Sequence, residues 1–258
     1  MNWLLGAIPF LWGRVRRAIY PFAVTNSPSL AGTEELLLEK KEFLKILCGA
    51  RSSPLSRAQF EEVANQLALV HPEIILKPVW VDTVGDKDRK TSLRTLEKSN
   101  FFTKELDEMV LSGAVRVAIH SAKDLPEPLP DGLSLVAITK GIDSRDSLVL
   151  KQGAELRSKM TVATSSERRE DLVRQICPDA QFTDLRGTIG ERLQLLESGA
   201  VDGVVVAEAA LIRLRLTHLN RIILFGEVAP LQGKLAIIAA TEDCEMRALF
   251  LNHEQYNS

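Results

Sequence analysis

Apolar and polar positions fall into regular blocks from about Lys45 onward. Ile46 to Ala50 is a short apolar run that predicts a strand. Ser53 stands where a helix N-cap belongs and Pro54 at the first helical position, while Phe60, Val63, Ala64 and Leu67 share one helical face. Pro78 to Asp82 predicts a second strand, which leads into Thr83-Val-Gly-Asp86 and a charge-rich stretch reaching about Asn100. Such a stretch reads as a mobile loop, with or without a lid's role. A helical pattern resumes over Phe101 to Leu111, and Ala114, Val115, Val117, Ala118 and Ile119 then read as an interior strand of a parallel sheet ending at His120.

The second half repeats the arrangement. Thr161 to Thr164 predicts a strand, Ser165 and Ser166 can cap the next helix, and Glu167 to Ile176 predicts that helix with Arg168 and Arg169 in its first turn. Cations oppose the helix dipole there, so an anionic ligand is expected beside them. The strand Gln181 to Leu185 ends at Arg186-Gly187, and Arg192 lies in the first turns of the helix after it. Asp202 to Val206 is another buried strand, leading to a helix carrying Arg213 and Arg215. The alternation predicts an α/β protein, and ligands of such sheets gather at the carboxyl ends of strands.

Composition narrows the function. The 258 residues are 45% hydrophobic, enough for one large domain or two smaller ones with a real core. With 32 Lys and Arg against 34 Asp and Glu, the net charge of -2 argues against broad binding to nucleic acid or anionic membrane. Three dispersed cysteines, Cys48, Cys177 and Cys244, suggest neither a disulfide framework nor a zinc site, and fit a reducing cytoplasm. The four histidines have no metal-ligand spacing, so no metal is expected and His120 reads as structural. Residues 1–41 read as an extension and linker. Its apolar stretch from Trp3 to Trp12, with Arg14, Arg16 and Arg17 after it, is too short to span a bilayer; membrane contact through residues 3–17 is the weaker alternative to an appended arm.

The candidate chemistry sits in His120-Ser-Ala-Lys-Asp-Leu-Pro126, where Lys123 and Asp124 come just after a buried strand. Arg51 and Ser53, at a strand-to-helix turn, form a carboxylate site in the same half. Thr164, Ser165, Ser166, Arg168, Arg169, Arg186 and Arg192 supply the other half, and all are expected to face one crevice. Guanidinium forks suit carboxylates, so the ligand should be a polyanion. Asp124, one acid among many cations, could then stabilise a positive charge that develops during reaction.

Eight segments together resemble porphobilinogen deaminase, the hydroxymethylbilane synthase family. They are Ala50-Arg-Ser-Ser-Pro-Leu55 with Gln59, Thr83-Val-Gly-Asp86, Phe101-Phe-Thr-Lys-Glu-Leu106, His120 to Pro126, Asp143-Ser-Arg-Asp146, Thr164-Ser-Ser-Glu-Arg-Arg169, Leu185 to Arg192 and Leu231-Gln-Gly233. The pattern is similar to the short chlamydial-type branch. The resemblance implies two lobes like type 2 periplasmic-binding proteins, each a mainly parallel sheet flanked by helices. Domain 1 would cover 42–140 and 233–250, domain 2 would cover 144–229, and 251–258 would be a tail. It also implies a cytoplasmic transferase of haem biosynthesis, expected as a monomer, that joins four porphobilinogen units into hydroxymethylbilane. Asp124 and Lys123 would be catalytic. Arg51, Ser53, Ser121, Thr164, Ser165, Ser166, Arg168, Arg169, Arg186 and Arg192 would bind the acetates and propionates of the substrate and of a dipyrromethane cofactor.

The sequence departs from the family pattern in places. The family's cofactor hangs from a cysteine in a Gly-Gly-Cys-like motif of a third domain, and no such motif comes after the returning strand here. Cys244 is the weak candidate for that role. A usual Gly-Gln-Gly has become Leu231-Gln-Gly, and Ser99 replaces a lysine, with Lys98 displaced by one. The alternative to the enzyme is a non-catalytic two-lobed binding protein for tetrapyrrole precursors or other polycarboxylates. A ligand-sensing transcription factor would share the cleft, but no basic recognition helix is evident.

Overall fold

The structure is a computed structural model that describes residues 43–88, 91, 94 and 100–251. The expected extension at 1–41 with its segment 3–17, the substitution at Lys98 and Ser99, and the tail beyond Leu251 lie outside the described residues. In chain order the first lobe runs β1 (Leu44–Arg51), α1 (Pro54–Val70), β2 (Ile74–Val81), the single turn α2 (Val84–Lys87), α3 (Lys104–Leu111), β3 (Val117–Ser121) and β4 (Leu133–Ile138). A crossover leads to β5 (Asp146–Leu150), β6 (Thr161–Ala163), α4 (Glu167–Arg174), β7 (Gln181–Thr183), α5 (Ile189–Glu197), β8 (Gly203–Ala207), α6 (Glu208–Arg213) and β9 (Arg221–Leu224). A second crossover returns the chain for β10 (Leu235–Ala240) and α7 (Cys244–Leu251).

The two sheets share one plan. Their orders are β2-β1-β3-β10-β4 and β7-β6-β8-β5-β9. In the first, β1 pairs parallel with β2 and β3, and β10 runs antiparallel to β3 and β4. In the second, β6 pairs parallel with β7 and β8, and β5 runs antiparallel to β8 and β9. Each sheet is therefore mixed, with four strands running one way and a single strand, β10 or β5, reversed. The reason is connectivity: the reversed strand of each sheet is the one that meets a crossover, entering from the opposite lobe. Both sheets belong to one compact unit, Lys41–Ser258.

Burial matches the residue pattern. Ile46, Cys48 and Ala50 of β1 pack with Phe60, Val63 and Leu67 of α1 on one face of the first sheet. Ala118 and Ile238 pack with Leu106 and Val110 of α3 on the other. In the second lobe Leu148, Val162 and Val205 meet Leu172 and Val173 of α4, while Val204 and Val206 meet Leu196 and Leu211. Predicted elements match within a few residues. The helix expected from Phe101 instead begins at Lys104, after a 3-10 turn over Asn100–Phe102. Among the described residues no helix is long and apolar enough to cross a membrane.

The crossovers run against each other. The Ile142 amide donates to the Gly233 carbonyl over 3.3 Å. Gly233 has φ +85°, and a Cβ there would collide with the Asp143 carbonyl oxygen. Two residues earlier, Leu231 has φ +58° although its side chain is largely exposed. A left-handed backbone costs an L-residue roughly 1–2 kcal/mol, a strain that glycine at this position would escape. We expect Leu231→Gly to raise stability by about 1 kcal/mol and Gly233→Ala to lower it by at least about 1 kcal/mol, read as urea midpoints. Shifts of the opposite sign in both variants would refute the crossover geometry.

Candidate active site

Strand β3 delivers the acidic centre. Its carboxyl end pairs Ser121 with Leu235 of β10, and a 3-10 turn over Ala122–Asp124 then lifts Lys123 and Asp124 out of the sheet. They line a cavity of about 280 Å³ between the two sheets, toward the lower end for ligand sites. The Asp124 side chain is exposed and has no hydrogen bond or ion pair with any described residue. Lys123 is half-buried and donates to Gln232 Oε1 over 3.3 Å. Its pKa is lowered by burial and by Arg169, with Asp124 and Asp146 opposing and Arg192 adding to the fall.

The first lobe adds Arg51, Ser53 and Ser121. The Ser53 hydroxyl accepts the Ser56 amide at 3.2 Å, capping α1 as its sequence position predicts. Gln59 donates to Ser121 Oγ over 2.9 Å. Arg51 stacks over the Phe102 ring at 4.6 Å and grips Asp86 through both Nε and Nη2. The Thr83-x-x-Asp86 capping box fixes that carboxylate, since Asp86 Oδ2 accepts from the Thr83 amide and hydroxyl at 3.1 and 2.8 Å. Burial works to raise the Asp86 pKa, and the bonds from Arg51 and Thr83 override it, leaving a net lowering. Behind this group His120 is buried, and burial with the Arg51 charge pushes its pKa down to about 3. It is neutral at physiological pH, in keeping with a structural residue.

From the second lobe, Arg169, Arg186 and Arg192 reach the cavity. Arg186 crosses the cleft to the carbonyls of Gly85 (3.2 Å) and Asp88, and lies near the rings of Phe101 and Phe102. Its Nε is buried without a partner among the described residues. Arg192 uses only Nε, on the Gly187 carbonyl at 2.8 Å, so its two terminal nitrogens have no partner among the described residues. Burial, then Arg169 and Arg186, lower its pKa to about 10, with Asp124 opposing and Arg51 adding to the fall, so it stays charged at neutral pH. Arg213 lines the same cavity and bridges the lobes, with Nε and Nη2 on Glu62 of α1 at 2.7 and 3.0 Å.

Other predicted residues do not line this cavity. Arg168 is held by Asp146 Oδ2 at 2.6 Å and the Glu227 carbonyl. Ser165 Oγ both donates to the Leu185 carbonyl (2.8 Å) and accepts the Leu185 amide (2.7 Å), tying the ends of β6 and β7 together. Thr164 is buried, its hydroxyl accepting the Ser166 amide at 3.3 Å, and Ser166 holds the N-cap position of α4 without a side-chain cap bond. The anion expected beside Arg168 and Arg169 is already supplied by Asp146, fully buried in β5, whose other oxygen takes Arg169 at 2.6 and 3.0 Å. Residue type and spacing assigned no site role to Asp146, Asp86, Gln232 or Arg213. Only Asp86 carried a local signal, the capping box.

The donor set fits a carboxylate-rich pyrrole group: an orphaned buried Nε, two unpartnered guanidinium nitrogens and an ammonium converge on one cavity. The thiols do not fit a covalent hold. Cys48 lies in the first core and Cys177 donates to the carbonyls of Arg157 and Ser158 at 3.0 and 3.1 Å. Burial pushes both thiols up. Cys244 is exposed but comes after β10, which enters at the cleft beside Ser121 and runs away to Ala239 beside Val117. Its neighbour Asp243 pairs with Arg116, just before β3, at the far end of the sheet. Cys244, the weak candidate for cofactor attachment, thus does not line the cavity.

Fold and cleft define a two-lobed α/β protein whose cavity gathers guanidinium and ammonium groups around a carboxylate without a partner among the described residues. The same fold appears in CbnR, a LysR family transcriptional regulator, at TM-score 0.52 and 10% identity over 83% of this chain and 70% of that one, a likeness of fold alone. The sequence model of "Porphobilinogen deaminase, dipyromethane cofactor binding domain" matches residues 46–248, and the chain belongs to the porphobilinogen deaminase family. A probable porphobilinogen deaminase of Chlamydia muridarum is 38% identical over 205 residues, 78% of this chain and 84% of its own. The porphobilinogen deaminase of Dictyostelium discoideum is 38% identical over 190 residues, 69% of this chain and 58% of its own.

Asp146 generates a testable consequence. Burial raises its pKa and the Arg169 and Arg168 guanidinium groups more than reverse that, leaving a net lowering. A depressed folded pKa stabilises the fold above the unfolded Asp value of about 3.9, and that contribution disappears as pH falls through the folded value. We expect Asp146→Asn to cost about 3 kcal/mol at pH 7, measured by urea unfolding, and to flatten the acid limb of stability below about pH 4.

Proposed function

We propose that this protein deaminates porphobilinogen and joins four units into hydroxymethylbilane, working in the cytoplasm. The carrying observation is the Asp124 carboxylate: it has no partner among the described residues, yet it faces a cavity rimmed by Lys123, Arg169, Arg186 and Arg192. A cleft made only to bind anions has no use for an unpaired acid at its centre, because that charge repels the ligand. An enzyme that expels ammonia has such a use. As the aminomethyl C–N bond breaks, the pyrrole nitrogen takes on positive charge, and a fixed carboxylate stabilises that charge more than it stabilises the neutral ring.

The cations divide the remaining work. Arg192, with both terminal nitrogens available, and Arg186, with its orphaned Nε, take substrate carboxylates, while Lys123 holds one beside Asp124. Arg168, Thr164, Ser165 and Ser166 support the site by fixing Arg169 and the β6 and β7 ends. Dipyrromethane, when bound, supplies the pyrrole end from which chain growth starts, and the guanidinium cluster is where its carboxylates would be held. Three free cysteines support the cytoplasmic placement.

Purified protein given porphobilinogen should release ammonia as the substrate disappears. Asp124→Asn should reduce that rate by roughly 10²–10³-fold while porphobilinogen still binds, measured by calorimetry. Wild-type protein that binds porphobilinogen without releasing ammonia would establish the non-catalytic alternative. Cys244→Ser should leave turnover and the bound pyrrole content unchanged.

A further inference from the structure

Gln232 occupies the junction where both crossovers meet the acidic turn. Its side chain is buried, and its Nε2 donates to the Ser144 carbonyl at 2.6 Å and the Arg145 carbonyl at 3.3 Å. Two carbonyl acceptors on one side fix the amide's orientation, so Oε1 must face the other way, where it accepts from Lys123 Nζ at 3.3 Å. The next residue, Gly233, packs directly on Asp143 and gives its carbonyl to Arg213 at 2.9 Å. One amide thus ties the outgoing crossover, the returning crossover and the Lys123 side chain together.

We propose that Gln232 is a positioning residue: it holds the Lys123 ammonium beside Asp124 and makes that placement depend on the geometry of the crossovers. Any change in how the two lobes meet passes through the Ser144 and Arg145 carbonyls to the amide, and from its oxygen to Nζ. The charged groups around Lys123 are Asp124 on its own turn, Asp146 of β5, Arg169 of α4 and Arg192 of α5. Gln232 is the one neutral acceptor given to the amine among the described residues. Removing it makes the ammonium harder to keep; replacing it with a carboxylate makes the ammonium easier to keep.

The test reads Lys123 directly, and only its turnover arm rests on the deaminase reading. Protein carrying lysine labelled with ¹³C at Cε is titrated by NMR, with the Lys123 resonance identified by its loss in Lys123→Arg. Gln232→Met should lower the Lys123 midpoint by about half a pH unit or more, and Gln232→Glu should raise it by about one unit. The alkaline limb of kcat/KM should move with each midpoint in the same direction. A Gln232 that only braces the crossovers would lower stability in both variants and leave the Lys123 midpoint unmoved, and that result overturns the proposal. If Gln232→Met does not fold, the Gln232→Glu titration alone decides between the same two outcomes. Protein that never releases ammonia from porphobilinogen would remove the deaminase reading, while the titration would still settle the role of Gln232.

Discussion

Concentrating cations in a cleft is unfavourable, and the Asp146 carboxylate is what makes the concentration here tolerable. Like charges in a partly desolvated space repel strongly unless something opposite is fixed among them. Asp146 does this from inside the sheet, with no exposure, by binding adjacent arginines of one helix turn with its two oxygens. Asp86 does the same for Arg51 in the opposite lobe. Both acids are committed to structure. The acid that remains uncommitted is Asp124, and the cations that keep donors in reserve are Arg192, Arg186 and Lys123. The division between neutralised and available charge is what turns a basic cleft into a site with direction.

Much of this was legible in the residues alone, because strand ends and helix starts are written locally. Apolar runs located β1, β3, β6 and β8, and the switch-point rule put Lys123, Asp124, Arg186 and Arg192 at one crevice, where all four line the cavity. The illegible part depended on partners distant in sequence. Arg168 has the same local signature as Arg169, yet only its neighbour lines the cavity; the difference lies in which face of Asp146 each meets, 22 and 23 residues away. The hydroxyl residues at 164–166 were expected to cap the helix and, by the family resemblance, to bind carboxylates. Here Ser165 bonds the Leu185 backbone and the Thr164 hydroxyl accepts the Ser166 amide.

The one reversed strand in each sheet was hidden for a related reason. Buried strands read as uninterrupted apolar runs whichever way they point, so neither β5 nor β10 announces its reversed direction. Cys244, the weak candidate for attachment, is carried away from the cleft by that same direction of β10.

The exchanged strands also govern the order in which the chain can be completed during synthesis. In the first sheet β4 pairs with β10 alone among the described strands, so once β4 has left the ribosome it has no strand to pair with. The second lobe, by contrast, is contiguous from β5 to β9 and needs nothing made later. Vectorial translation therefore presents a finished arginine-bearing lobe beside an open gap between β3 and β4. The last strand to emerge fills that gap, and in the same event draws Gln232 up to Lys123. The site is completed by the strand that closes the first sheet.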